Sequence, residues 1–206
     1  MASQFLPPGQ HFGPPLVLRS KVALLGAAKS GKTALREVAC ENPFPRSYTV
    51  TLARESSVKT VPITEKNITV ELHLQECGSF DRLPGQLEKA INGCSVFVLC
   101  YDVTDAESFS QLGEFLQTID KVCEAPACVC VVGNKVDLPE GGRKVAEQTG
   151  FEFCGNRPDQ MRYFDCSMLN NTGLPDMCTH IAQFVAENYE GRVAALNAMH
   201  GGMGPF

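Results

Sequence analysis

"GAAKSGKT", Gly26–Thr33, decides how the rest of this chain is read. It has the spacing G-x-x-x-x-G-K-[ST], the pattern of a loop that cradles phosphate. On its amino side stands "KVALLG" (21–26), a short apolar run ending in glycine, the signal of a buried strand. On its carboxyl side "GKTALREVAC" puts Leu35, Val38 and Ala39 on one helical face. A strand, a glycine-rich turn and a helix are the context the pattern requires. Backbone N–H groups of such a loop, here spanning Gly26, Lys29, Ser30, Gly31 and Ala34, surround phosphate oxygens with help from the helix N-terminus. Lys32 adds a point charge for the β- and γ-phosphates, and Thr33 offers a hydroxyl to Mg²⁺.

Outward from the loop, strand and helix patterns alternate. "ENPFPRSYT" carries two prolines and reads as a loop. "SSVKTVPI" and "ITVELHL" alternate apolar and polar residues and predict two paired strands joined at "TEKN". "SVFVLCYD" (95–102) and "CVCVVGNK" (128–135) are almost continuously apolar, as central strands covered on both faces are. Between them "AESFSQLGEFLQTIDKV" has Phe109, Leu112, Phe115, Leu116 and Ile119 at helical spacing. "EGGRKVAEQTGFEFCGNRPDQM" reads as a helix followed by a loop, "RYFDCS" (162–167) as a last strand, and "DMCTHIAQFVAENYEGRVAALNAM" as a long helix with a bend or break at Gly191. This order predicts an α/β fold: a mostly parallel sheet with one antiparallel edge strand and helices on both faces. Ligands in such sheets sit at the carboxyl ends of the strands.

Composition narrows the classes. The chain has 206 residues, 44% apolar and 20% charged, which suits one sizeable core. The net charge is −5 and no basic run stands out, which disfavours nucleic acid as a partner. Ten cysteines lie mostly inside apolar runs with no C-x-x-C pair, so they read as buried, reduced thiols rather than a zinc site. Residues 1–19 are proline-rich without a secretory pattern and read as a mobile arm before a domain over 20–190, with a helix extension and tail over 191–206. No window has the length of a membrane span, and "HGGMGPF" contains no cysteine for a prenyl group, so no membrane anchor is expected.

A second motif supplies base specificity. "GNKVD" ends the apolar run at 128–135 and has the form N-K-x-D, from Asn134 and Lys135 to Asp137. A carboxylate at Asp137 can accept both the N1–H and the 2-amino hydrogens of guanine. Adenine lacks that donor pair and would leave a buried charge unpaired.

The two motifs, in this order over about residues 20–190, resemble the Ras-like small GTPases. That resemblance implies a six-stranded G-domain, GTP or GDP with Mg²⁺ as ligands, and further site residues. An aromatic, a Tyr four residues on and a Thr three further match Phe44, Tyr48 and Thr51. Phe44 would pack on the guanine edge, and Thr51 would reach Mg²⁺ and the γ-phosphate. "DCSML" stands where the family has Ser-Ala-Lys. Ser167 is kept and Met168 stands in for Ala, so a backbone N–H toward the guanine carbonyl is what carries over.

"LHLQECGSFDRL" (72–83) departs from the family. With Gly78 aligned to the Gly of Asp-x-x-Gly, where its N–H would meet the γ-phosphate, Gln75 replaces the magnesium-holding Asp and Ser79 the water-orienting Gln. Glu76 is a tempting substitute carboxylate but keeps the wrong distance from Gly78. No residue is assigned a catalytic role, and hydrolysis is expected at or below about 10⁻⁴ s⁻¹ with weakened Mg²⁺ retention.

Within the superfamily, "RSYTVT", "VELHL", "VLCYDVTDAESF" and "FVAENYEGRVAAL" are similar to the Rab-like intraflagellar transport protein 27 family of the intraflagellar transport B complex. That implies a heterodimer with the β-sandwich subunit intraflagellar transport protein 25, contacts to other complex B subunits, and a place in the cytoplasm, basal body and cilium or flagellum. Two alternatives stay open: a vesicle-traffic Rab, and a G-domain kept as a structural assembly part. The apolar stripe Ile181, Phe184, Val185, Tyr189, Val193 and Leu196 either covers the core or docks a partner with its far end.

Overall fold

The computed structural model describes residues 13–52, 54–78, 85–123, 127–138 and 142–201, with side chains to 195. Ser79, residues 1–12 of the N-terminal arm, the side chain of Leu196 and residues 202–206 of the tail lie outside the described residues.

Six strands form one sheet: β1 (Leu16–Gly26), β2 (Glu55–Ile63), β3 (Ile68–Glu76), β4 (Val96–Asp102), β5 (Cys128–Asn134) and β6 (Met161–Cys166). Their order is β2-β3-β1-β4-β5-β6, with β2 antiparallel to β3 and every other pair parallel. The expected hairpin is present, closed by a 3₁₀ turn at Thr64–Lys66 with Asn67 in the left-handed region at φ 51°. β1 begins four residues before the expected domain start at 20, because Leu16–Arg19 pair with Ile68–Glu71.

Strand parity divides the core. Val22, Leu24, Leu72, Leu74, Val98, Cys130 and Val132 face α1 (Lys32–Ala39) and α6 (Leu174–Gly201). Ala23, Leu25, Phe97, Leu99, Val129 and Val131 face the opposite layer of α2 (Gln86–Ile91), α3 (Ala106–Ser110), α4 (Leu112–Val122) and α5 (Glu147–Gly155). β4 and β5 are buried along their whole length, as their unbroken apolar runs require.

Three expectations change. The helix between β4 and β5 is divided into two at Gln111, and α3 has its own cap, the Asp105 carboxylate accepting from Glu107 N at 3.1 Å. The short α2 had no sequence signal of its own. α6 runs through Gly191 without interruption; a glycine costs a helix only about 1 kcal/mol, which flanking helix formers offset. Of the α6 stripe, Ile181 is fully buried and Phe184 and Val185 pack on the core, whereas Tyr189 is 39% exposed.

Candidate nucleotide site

The carboxyl ends of β1, β3, β5 and β6 open into one cavity of about 690 Å³. The loop after β1 forms its floor. Gly31 caps α1 at φ 100°, and a Cβ there would stand 2.0 Å from Asn134 Nδ2. Glycine is thus required twice, for the backbone angle and for the approach of the second motif. Asn134 Nδ2 donates to the Ser30 carbonyl at 2.9 Å, and Asn134 Oδ1 accepts from Lys135 N at 2.8 Å. Gly26, at φ 143°, lets the chain turn beneath β4, where a Cβ would collide with the Cys100 carbonyl at 2.0 Å.

Among the residues expected at the phosphates, Lys29, Gly31, Lys32, Thr33, Ala34, Thr51 and Gly78 all line the cavity. Gly26 and Ser30 do not. Ser30 is wholly buried, and its Oγ has no hydrogen-bond partner among the described residues. Ser30 therefore serves the loop through its backbone. Lys32 Nζ donates to the carbonyls of Gly26 at 3.1 Å and Ala27 at 2.8 Å, holding the charge over the loop. Lys29, at φ 63°, lies 5.6 Å above the Tyr48 ring, a cation–π contact that ties the following loop to the phosphate loop.

Three side-chain oxygens converge at the helix start. Thr33 Oγ1 donates to Glu76 Oε1 at 2.8 Å, so Thr51 Oγ1, 3.3 Å away, donates to Thr33. This corrects the reading of the strand end. Glu76, not Gln75, brings its side chain to the position expected of the magnesium carboxylate. The cause is parity: Val70, Leu72 and Leu74 face α1, so Glu76 does too, while Gln75 points the other way between Ala23 and Ser56. Extending the alternation of "VELHL" by two residues would have found it. Glu76 is 2% exposed, and its Oε2 lacks a hydrogen-bond partner among the described residues. Two hydroxyls and a buried carboxylate are a hard-donor set that fits Mg²⁺.

Arg36 was missed by sequence reasoning. Its buried guanidinium stands 3.7 Å from Glu76 Oε2 through Nε, and its Nη2 contacts Glu37 at 2.7 Å and Glu55 at 2.5 Å. A helix Arg beside an apolar face gave no signal of a buried ion cluster.

At the base end, Phe44, Asn134, Lys135, Asp137 and Met168 line the cavity and Ser167 does not. Ser167 is fully buried; its hydroxyl donates to Asp137 Oδ1 at 2.5 Å and accepts from Asn170 N at 3.1 Å. Ser167 thus aims the carboxylate. Lys135 sits at φ 71°, and its Nζ reaches Asp102 Oδ2 at 2.5 Å. Burial works to raise the Asp102 carboxyl, but hydrogen bonds from Lys135 and Thr104 outweigh it and hold the group below its ordinary value.

Comparison with known proteins agrees with this geometry. The family model described as Ras family matches residues 21–187. The chain is 25% identical over 184 residues to the intraflagellar transport protein 27 homolog of Trypanosoma brucei brucei, covering 88% of this chain and 98% of that protein. It is 30% identical to human Ras-related protein Rab-30 over 79% of this chain and 77% of that one. With Ras-related protein Rab-1 of Theileria parva it shares 28% identity over 79% and 72%.

Proposed function

The chain belongs to the Ras family, and on that premise we propose that it is a GTP/GDP-binding, Rab-like subunit of an intraflagellar transport assembly, switching with slow hydrolysis. The observation that carries the nucleotide reading is one cavity in which Thr33, Thr51 and Glu76 meet while Ser167 aims Asp137. Lys32 and the loop N–H groups would hold phosphates; Thr33, Thr51 and Glu76 would hold Mg²⁺, which supplies charge neutralisation when bound. Asp137, Asn134 and Phe44 would hold guanine, beside the backbone of Ser167 and Met168. Slow hydrolysis rests on the sequence after Glu76. Counting from either Gln75 or Glu76, the water-orienting position is Ser79 or Phe80, and neither has a carboxamide.

The transport role is supported by the resemblance of dispersed segments and by the trypanosomal relative, named an intraflagellar transport protein 27 homolog. The partner it implies is intraflagellar transport protein 25, and the surface available is the end of α6, where Tyr189 is exposed. Similarity to Rab-30 supports a second reading, a Rab of vesicle traffic. Among the described residues no helix is long and apolar enough to cross a membrane.

The test is titration of purified protein with fluorescent GTP, GDP and ATP, with and without Mg²⁺, followed by single-turnover hydrolysis. Micromolar or tighter binding of guanine nucleotides alone, with turnover near 10⁻⁴ s⁻¹ or below, is the expected result. A folded protein that binds neither would make the domain an assembly part; unaided hydrolysis approaching 1 s⁻¹ would remove the slow-switch reading.

A further inference from the structure

We propose that Cys128, Cys130 and His180 form a second metal site, for a thiophilic divalent cation of the zinc class. Residues i and i+2 of a strand share a face, so Cys128 and Cys130 both turn from β5 toward α6. Cys128 and Cys130 are 3% and 0% exposed, and both are unbridged. His180 completes the group from the second turn of α6. Cys128 Sγ lies 3.9 Å from His180 Nε2, and all three ligand atoms fall within 4.8 Å of one another. A tetrahedral ion with Zn–S of about 2.3 Å and Zn–N of about 2.0 Å sets its ligand atoms about 3.5–3.8 Å apart. The group therefore needs to contract by less than about 1 Å, which rotamer adjustment provides without moving either element.

The donor set is unlike that of the nucleotide cavity. Two sulfurs and an imidazole select a soft or borderline ion, whereas Thr33, Thr51 and Glu76 select a hard one. The two places are also apart: Cys128 opens β5 and Asn134 closes it, about 20 Å along a strand. His180 is partly exposed and lines a second cavity of about 650 Å³ with Arg162, Phe164 and Gln183. An ion would reach the group from the His180 side, and no fourth protein ligand joins it among the described residues. Bound there, the ion would pin α6 to the amino end of β5.

Arg162 makes the inference specific. Its Nη1 lies 3.4 Å from His180 Nδ1. Arginine only donates, so this contact fixes Nδ1 as acceptor and puts the ring proton on Nε2. A metal at Nε2 requires the other tautomer, which breaks the Arg162 contact and leaves two donors facing each other. Arg162 therefore opposes the ion, and Arg162→Ala should bind it more tightly.

The experiment uses the full chain, reduced and metal-free, titrated with Co²⁺ and then Zn²⁺. Expected are one equivalent of Co²⁺ with a thiolate-to-cobalt charge-transfer band, displacement by Zn²⁺, and binding at least threefold tighter in Arg162→Ala. Binding should weaken at least about tenfold in Cys128→Ala, Cys130→Ala and His180→Ala, and stay unchanged in Cys94→Ala, which packs on the opposite face of the sheet. Cobalt at the oxygen cluster gives no such band, so the two places are read separately. Should the cysteine variants fail to fold, the partly exposed His180→Ala decides. Absence of the band in folded wild type, or a band and affinity unchanged in His180→Ala, overturns the proposal.

Discussion

Glu76→Gln is the perturbation that tests the register of the strand end. The change removes charge but preserves length. Thr33 Oγ1 keeps an acceptor at the position now 2.8 Å away. Arg36 keeps Glu37 and Glu55 as partners at 2.7 and 2.5 Å, so its charge is not stranded. The new amide N–H₂ replaces Oε2 beside the Arg36 guanidinium and finds no acceptor there, so fold stability should fall by about 1–3 kcal/mol. Magnesium retention in the folded protein should fall as well, because a contact to a charged group is worth about 1.5–3 kcal/mol. At 1.4 kcal/mol per decade, that is roughly 10- to 150-fold in the Mg²⁺ concentration that slows release of fluorescent GDP. Stopped-flow release across a magnesium series reads it directly. Gln75→Ala is the paired control and should move that midpoint less than about twofold, since the Gln75 side chain points to the other face of β3. A large effect of Gln75→Ala with none from Glu76→Gln would refute the parity argument and restore Gln75 as the residue beside the metal.

Gly31→Ala should cost about 2–4 kcal/mol in urea unfolding, because the new Cβ meets both a φ of 100° and the Asn134 amide. Asp137→Asn should weaken GDP at least about 100-fold in equilibrium titration while leaving the fold intact, since an amide offers one acceptor and turns a donor toward guanine. The lowered Asp102 value contributes stability that is complete above the ordinary carboxyl value of 3.8 and is lost as pH falls through the lower folded value. Acid unfolding of Asp102→Asn should lack that part of the slope, which a pH series of thermal melts would show.

The sheet was legible because its signals are periodic. β4 and β5 are unbroken apolar runs, and the β2–β3 hairpin alternates with period two, so order and pairing followed from pattern and handedness. The phosphate loop was legible because glycine at 26 and 31 is demanded by backbone geometry. Less was legible where function depends on side-chain reach. Counting back from Gly78 placed Gln75 in the metal position, whereas the strand's own alternation turns Glu76 toward Thr33. Arg36 and Tyr48 show the same limit, since their roles arise from residues 19 to 40 positions away or across two loops. The ten cysteines read as buried thiols because the sequence has no C-x-x-C pair. That spacing suits a turn, whereas on a strand two thiols share a face at i, i+2, and their third neighbour comes from a helix fifty residues later.

The Ser30 carbonyl ties the two motifs together and would couple base recognition to phosphate recognition. It accepts from Asn134 Nδ2 at 2.9 Å and from Cys100 Sγ at 3.3 Å, so β4 and β5 both draw it inward. A peptide's C=O and N–H point in opposite directions. Holding this carbonyl inside therefore turns the N–H of Gly31 outward, where a phosphate-binding loop needs its donors. With a nucleotide bound, Asn134 would thus act on the phosphates through the backbone while Lys135 and Asp137, one and three residues on, would frame the base. Loss of the Asn134 amide should consequently weaken pyrophosphate and guanosine to similar degrees, whereas Asp137→Asn should spare pyrophosphate. Binding of the two fragments to each variant separates this mechanical link from independent subsites: a drop confined to guanosine in Asn134→Ala would mean that the Ser30 bond contributes nothing to the shape of the loop.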